Sequence, residues 1–136
     1  MNQASGRCFC GGVRFSISGE PRSVAHCHCR MCQRSSGAPA LTWATFNREQ
    51  VRLEGPKLAY HASSAQARRG FCCGCGASVS WEALDPPGVV DLCVALFDQP
   101  ERFAPTYAIW TSSRIPWLEL DRHLPQHPEG DPSPGG

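Results

Sequence analysis

The chain has 136 residues, with 13 Lys and Arg against 12 Asp and Glu and a formal net charge of +1. That length supports one domain with a modest core, and the near-neutral balance excludes the basic excess that gathers nucleic acid or an anionic membrane surface. The opening MNQASGRCFC has no apolar h-region and no run of about eighteen apolar residues follows, so the expectation is no secretion signal, no membrane span and a cytoplasmic setting.

Along the chain the dominant period is two. Val13, Phe15 and Ile17 alternate with Arg14, Ser16 and Ser18 until Gly19 and Pro21 break the run, which predicts a strand ended by a turn. CHCRMC follows at 27–32, with at most a short helical turn around Met31 to Ser35. ALTWATF (40–46), QVRLE (50–54), ASVSW (77–81), VVDLCVAL (89–96) and TYAIWT (106–111) read as further strands. Twelve prolines and thirteen glycines leave long helices almost nowhere to form, so the predicted fold is mainly β, a single domain of small antiparallel sheets. Trp43, Trp81, Trp110 and Trp117 are expected in the core or packed on a sheet, because no basic stripe interleaves them as a base-stacking platform requires. From Pro125 the sequence PQHPEGDPSPGG has no apolar residue with which to offset the entropy of ordering. The folded body is therefore expected over 6–124 and a disordered Pro/Gly-rich tail over 125–136.

Nine cysteines stand out: Cys8, Cys10, Cys27, Cys29, Cys32, Cys72, Cys73, Cys75 and Cys93. Their odd number and tight clustering argue against a disulfide scaffold and for metal ligation. In an extended strand alternate side chains share a face, so Cys8 and Cys10, and likewise Cys27 and Cys29, can each present two sulfurs to one side. Cys32 reaches the same point as the second pair if the chain turns after Cys29. His26 and His28 would then face the other way.

Cys72 and Cys75 form a C-x-x-C knuckle closed by Gly76, with Cys73 pointing elsewhere, and the spacing suits tetrahedral zinc. A redox pair would expect a βαβ context that is missing here. The seven well-placed cysteines divide into a closed set of four (Cys8, Cys10, Cys72, Cys75) and an open set of three (Cys27, Cys29, Cys32). Spacing alone leaves other partnerships open, since any of Cys27, Cys29 and Cys32 could instead join the 72–75 knuckle.

The order C-x-C-G at 8–11, CHCRMCQRSSG at 27–37, GFCCGCGASVSW at 70–81 and RIPWLEL at 114–120 resembles the glutathione-dependent formaldehyde-activating enzyme family. The resemblance implies a zinc-bound all-β "tent". It also implies a structural zinc on Cys8, Cys10, Cys72 and Cys75 and a catalytic zinc on Cys27, Cys29 and Cys32. The implied activity joins glutathione, or a similar thiol, to formaldehyde or another small aldehyde as in S-hydroxymethylglutathione. Formally this is a carbon-sulfur lyase run in reverse, in formaldehyde detoxification. One departure is Ala108, which stands where many relatives carry a histidine.

Physical chemistry bears on that activity. Zinc with three thiolates has a net charge near minus one, so it is a poor Lewis acid for a carbonyl and better suited to capture a fourth sulfur and lower its pKa. Arg30, Arg34, Arg68 and Arg69 flank the cysteine loops; they could clamp a carboxylate or offset the anionic centres, and no site role is assigned to them. His61 and His123 are isolated. Cys93 reads as a small buried hydrophobe, Cys73 as either the same or a spare thiol, and Asp98 as a turn residue or a pocket wall. The competing reading is a non-catalytic zinc-stabilised binding module with two structural sites; a third is a metal or redox sensor.

Overall fold

A computed structural model describes residues 2–131 of the chain. In chain order the elements are β1 (Gln3–Arg7), β2 (Arg14–Ser18), β3 (Ser23–Cys27), α1 (Arg30–Ser36), β4 (Leu41–Asn47), β5 (Val51–Glu54), β6 (Leu58–Ala62), β7 (Ala67–Cys72), β8 (Ser78–Leu84), β9 (Pro87–Cys93) and β10 (Tyr107–Ile109), with four short 3₁₀ turns. The fold is mainly β, as expected. A three-stranded sheet runs β1-β2-β5, and a seven-stranded sheet runs β10-β3-β4-β9-β8-β7-β6. Every pairing is antiparallel except that of β10 with β3, a departure from the purely antiparallel expectation.

The strands with clean alternation lie close to their predicted places, because one face of each is buried. On β2, Phe15 and Ile17 are buried while Arg14, Ser16 and Ser18 are exposed. They pack with Val24, Ala44, Phe46, Val90 and Leu92 of the large sheet, and with Phe97 and Phe103, to make the main core. Phe97 stacks on Phe103 at 4.2 Å and meets Phe15 edge-on at 4.9 Å. Phe46 is fully buried, so its truncation to Ala is worth about 3–5 kcal/mol.

β1, β3, β6 and β7 were not legible as strands. Gly6 and Gly70 interrupt β1 and β7; a Cβ at Gly70 would lie 2.3 Å from Ser80 Oγ, so glycine there lets two strands approach closely. β6 is a sheet edge with an exposed end, where burial imposes no pattern.

The second face of the large sheet is what positions the site. Strand register sets Ser23, Thr45, Asp91, Trp81 and Arg69 in one row across five strands. Tyr107, Ala25, Trp43 and Cys93 form the next row, and Ile109, Cys27 and Leu41 the one after it. Residues of like parity on paired strands share a face, so these rows make one continuous surface.

Two expectations are corrected. The body does not begin at 6 and stop at 124: β1 starts at Gln3, and Pro125 to Asp131 lie along β10. Ala108 N–H donates to Pro125 O at 3.0 Å, His127 N–H to Ala108 O at 2.9 Å and Trp110 N–H to Glu129 O at 2.7 Å. A segment poor in apolar groups is thus held by backbone hydrogen bonds to a sheet edge that would otherwise be open. Residues 132–136 of the expected tail lie outside the described residues. Among the tryptophans, Trp43 is buried as expected, but Trp117 is 71% exposed and Trp110 sits at a pocket rim with φ of 55°.

Candidate functional site

The seven predicted ligands fall into two groups, four and three, and the sulfurs of each lie within 4.8 Å of one another. Each group could hold a metal ion. Tetrahedral zinc with Zn–S near 2.3 Å puts its sulfurs about 3.8 Å apart. The sulfur pairs Cys8–Cys10 at 3.8 Å, Cys10–Cys72 at 3.5 Å and Cys27–Cys32 at 3.6 Å fit that spacing.

The four-sulfur cluster is built from two turns. Cys8 and Cys10 do not share a strand face, as alternation predicted; β1 ends at Arg7 and the pair is brought together by a turn through Gly11, at φ +82°. The reason is that backbone N–H groups are needed at the sulfurs, and a turn supplies them: Val13 N–H donates to Cys8 Sγ at 3.3 Å and Gly12 N–H to Cys10 Sγ at 3.4 Å. The second turn repeats the device, with Cys75 N–H on Cys72 Sγ at 3.4 Å and Gly76 at φ +82°. Backbone hydrogen bonds, that of Cys10 foremost, draw the Cys75 thiol down to about 6.

The loop before β6 ties the two turns together. Lys57 N–H donates to Gly12 O at 3.1 Å, and Lys57 O accepts from Cys73 N–H at 2.8 Å. A Cβ on Gly12 would lie 2.6 Å from Lys57 Cδ and 2.9 Å from its Cβ, so the first turn needs glycine there, whereas at Gly74 only the movable end of the Lys57 side chain is in the way. Cys73 itself is exposed.

The three-sulfur cluster sits where β3 ends and α1 begins. Cys27 is the last residue of β3, Cys29 caps α1 with its sulfur accepting from Cys32 N–H at 3.2 Å, and Cys32 lies in the first turn of the helix. Gln33, which sequence reasoning missed, pins this loop: its Nε2 is 2.9 Å from His28 O and 3.2 Å from both Pro39 O and Ser113 O. The hydrogen bond to Cys29, then that to Cys32, pushes the Cys27 thiol well up, while the Cys27 bond draws Cys29 down to about 2. Cys32 Sγ also accepts from Trp43 Nε1 at 3.4 Å and from Arg69 Nη1 and Nη2 at 3.7 and 3.6 Å.

These three cysteines open into a cavity of about 470 Å³, lined mostly by apolar atoms of Trp43, Trp81, Trp110, Met31 and Ile109. Arg30, Asp91 and Asp131 line the cavity as well. Asp91 accepts from Thr45 Oγ1 at 2.6 Å, and burial holds its carboxyl up at about 7. Asp131 accepts from the Tyr107 hydroxyl. A lone Asp in the apolar run VVDLC was the available signal for this position, since a carboxyl in a buried strand needs a pocket or a partner. None of the four sulfurs of the closed cluster lines this cavity.

The remaining candidates divide clearly. His26 faces away from the cluster, held between Thr42 at 2.8 Å and Asp121 at 2.7 Å. His28 is buried with Nδ1 unpartnered, and the ligand-capable group among the described residues contains no histidine. Arg68 pairs with Glu82 at 3.0 Å and lies over the Tyr60 ring, whereas Arg34 is exposed. Cys93 is buried beside Trp43, as expected, and burial pushes its thiol up to about 12. Asp98 holds a turn against Ser5, at 3.2 Å from its hydroxyl. Ala108 is buried and does not line the cavity.

A solved structure of a Rhodobacter sphaeroides protein has a similar fold, with a TM-score of 0.57 at 23% identity over 69% of this chain and 87% of that one. An uncharacterized lyase of Schizosaccharomyces pombe is 27% identical over 79 residues, covering 58% of this chain and 57% of that relative. The matched stretch therefore spans a little over half of that lyase's length. Residues 3–113, which contain both cysteine clusters and all ten strands, match the family described as glutathione-dependent formaldehyde-activating enzyme, and the chain belongs to that family.

Proposed function

We propose that the chain is a zinc-dependent carbon-sulfur lyase or synthase that joins a glutathione-type thiol to a small aldehyde, in the manner of S-hydroxymethylglutathione synthesis. In this reading Cys27, Cys29 and Cys32 carry the reaction, and Cys8, Cys10, Cys72 and Cys75 hold the fold. The carrying observation is the contrast in surroundings: the three-sulfur cluster faces a cavity of about 470 Å³ and the four-sulfur cluster does not. When bound to three thiolates, zinc supplies an electron-pair acceptor with room for one more sulfur.

The chain's own residues do the rest. Trp43, Trp81 and Ile109 keep bulk water from the reacting atoms, and the Cys29 cap and Gln33 hold the cysteine loop in one conformation. In the forward direction the thiol releases its proton to solvent, a carbon-sulfur bond forms at the aldehyde carbon, and the former carbonyl oxygen takes up a proton. Formaldehyde is electrophilic enough that orienting the thiol is the larger task. Nine unpaired cysteines suit a reducing compartment, so the proposed setting is the cytoplasm and the proposed role is aldehyde detoxification.

The test is to mix zinc-loaded protein with glutathione and a series of aldehydes and follow free thiol against a Cys29→Ser control. Acceleration at least about tenfold over the spontaneous adduct, lost in the control, is expected. The same rate with and without protein for every aldehyde would leave a non-catalytic module with two structural metals.

A further inference from the structure

Arg69 is 8% exposed and forms no ion pair with a carboxylate among the described residues. Its Nε has no partner. What its guanidinium does touch is Cys32 Sγ, through both Nη atoms at 3.7 and 3.6 Å, and Ser35 Oγ at 3.3 Å. Burying a guanidinium is costly unless an anion faces it. Among the groups that the guanidinium touches, the Cys32 sulfur is the one able to supply that anion, as a thiolate bound to a metal ion. The guanidinium makes its direct contact with Cys32 alone of the three sulfurs, although its charge also reaches Cys29: Cys29 accepts the backbone N–H of Cys32, and Cys27 meets the Cys32 sulfur.

We infer that Arg69 is the positioning residue that lets an anionic sulfur, in preference to a neutral donor, join the three-cysteine centre. The inference rests on the reading that Cys27, Cys29 and Cys32 hold a divalent metal. Three thiolates on such an ion leave one negative charge, and a fourth brings two. The closed cluster tolerates that total because Cys10 is exposed and water screens it. Cys27 and Cys32 are buried beside an apolar cavity, where water screens little, and the guanidinium of Arg69 restores the total to minus one. Trp43 Nε1, at 3.4 Å from Cys32 Sγ, adds a neutral donor to the same sulfur. The ligand class is therefore a thiol that binds as thiolate with its proton released to water, whatever groups it carries further out.

The full chain loaded with cobalt(II) allows a test without turnover, because sulfur-to-cobalt absorption reports binding. 2-Mercaptoethanol, which has no carboxylate, is titrated alongside imidazole, a neutral donor. Arg69→Gln is expected to weaken mercaptoethanol binding about tenfold and leave imidazole binding unchanged, with Arg69→Lys between it and the wild type. Ser35→Ala, on the exposed side of α1, removes the guanidinium's anchor without touching the core; a two- to threefold loss specific to the thiol is expected, and decides the matter if the Gln variant does not fold. Equal losses for both probes, or unchanged thiol affinity in Arg69→Gln and Ser35→Ala, overturn the inference. A wild-type chain that takes up a single cobalt overturns the metal reading instead, and metal content tells the two failures apart.

Discussion

Four sulfurs meet where two glycine-closed turns face each other, and three meet where a strand runs into a helix in front of a cavity. The donors are the same and the spacings nearly so. In the first region the backbone surrounds the sulfurs, with N–H groups of residues 12, 13 and 75 on the Cys10, Cys8 and Cys72 sulfurs and one loop joining both turns. In the second, one backbone N–H reaches Cys29, the Cys32 sulfur is held by the side chains of Trp43 and Arg69 from two other strands, and Gln33 pins the loop through its carbonyls. A backbone cage has little freedom to open, whereas a side-chain cage on a pocket wall can admit a ligand. The contrast teaches that closure depends less on the ligand residues than on what lies behind them.

The sharpest way to break the comparison is to remove one ligand from each cluster. Structural zinc in small domains is worth on the order of 10 kcal/mol of folding free energy. Cys72→Ser is therefore expected to leave the chain unfolded or aggregated, measured by circular dichroism and by zinc content. Cys29→Ser should lower the thiol-aldehyde rate about 100-fold or more while shifting the urea midpoint by no more than about 1 kcal/mol. Serine keeps the helix cap that Cys29 now makes. If both variants unfold alike, the two regions are structurally equivalent and the comparison fails.

Asp91 sharpens it from the pocket side. With its carboxyl held up at about 7 by burial, against an ordinary 3.8, the folded chain binds that proton more tightly than the unfolded chain does. Stability from this group is therefore lost as pH rises from about 4 to about 7 and is flat above. Asp91→Asn should match the wild type near pH 4 and exceed it by about 1–2 kcal/mol at pH 8, a figure reduced for partial exposure. Urea titrations of the pair across that range give the difference directly; a constant difference at all pH values would sink the argument. The smallest effect is expected at the rim. Trp110→Ala should raise KM for the thiol about two- to fivefold with kcat unchanged, read from steady-state rates, because the indole is 38% exposed and lines only the mouth.

Much of this was legible in the cysteine spacing and in period-two strands with one buried face, such as β2. The short α1 showed as well, in the compact turn that Cys32 needs to reach Cys29. What escaped depended on register. Arg68 and Arg69 are neighbours on β7 and face opposite sides; only pairing with Trp81 and Asp91 puts Arg69 on the cavity side. Cys8 and Cys10 illustrate the opposite failure: a period-two spacing satisfied by a turn, because metal-binding sulfurs need backbone N–H groups that a paired strand has already committed. The segment after Pro125 escaped because its order comes from β10's edge and not from its own side chains.

The two turns of the closed cluster are 62 residues apart at Cys10 and Cys72, and every residue of the reactive loop lies between them. On a ribosome adding about 5–20 residues per second, the first pair of thiols waits about 3–12 s for its counterpart to be synthesised. From the addition of Cys32 until that of Cys72 the nascent chain offers Cys8, Cys10, Cys27, Cys29 and Cys32 together, a temporary five-thiol ensemble in which wrong metal pairings compete with the final ones. Early metal supply at too high a concentration would therefore trap misassembled chains, and yield should pass through a maximum as zinc in the growth medium is raised.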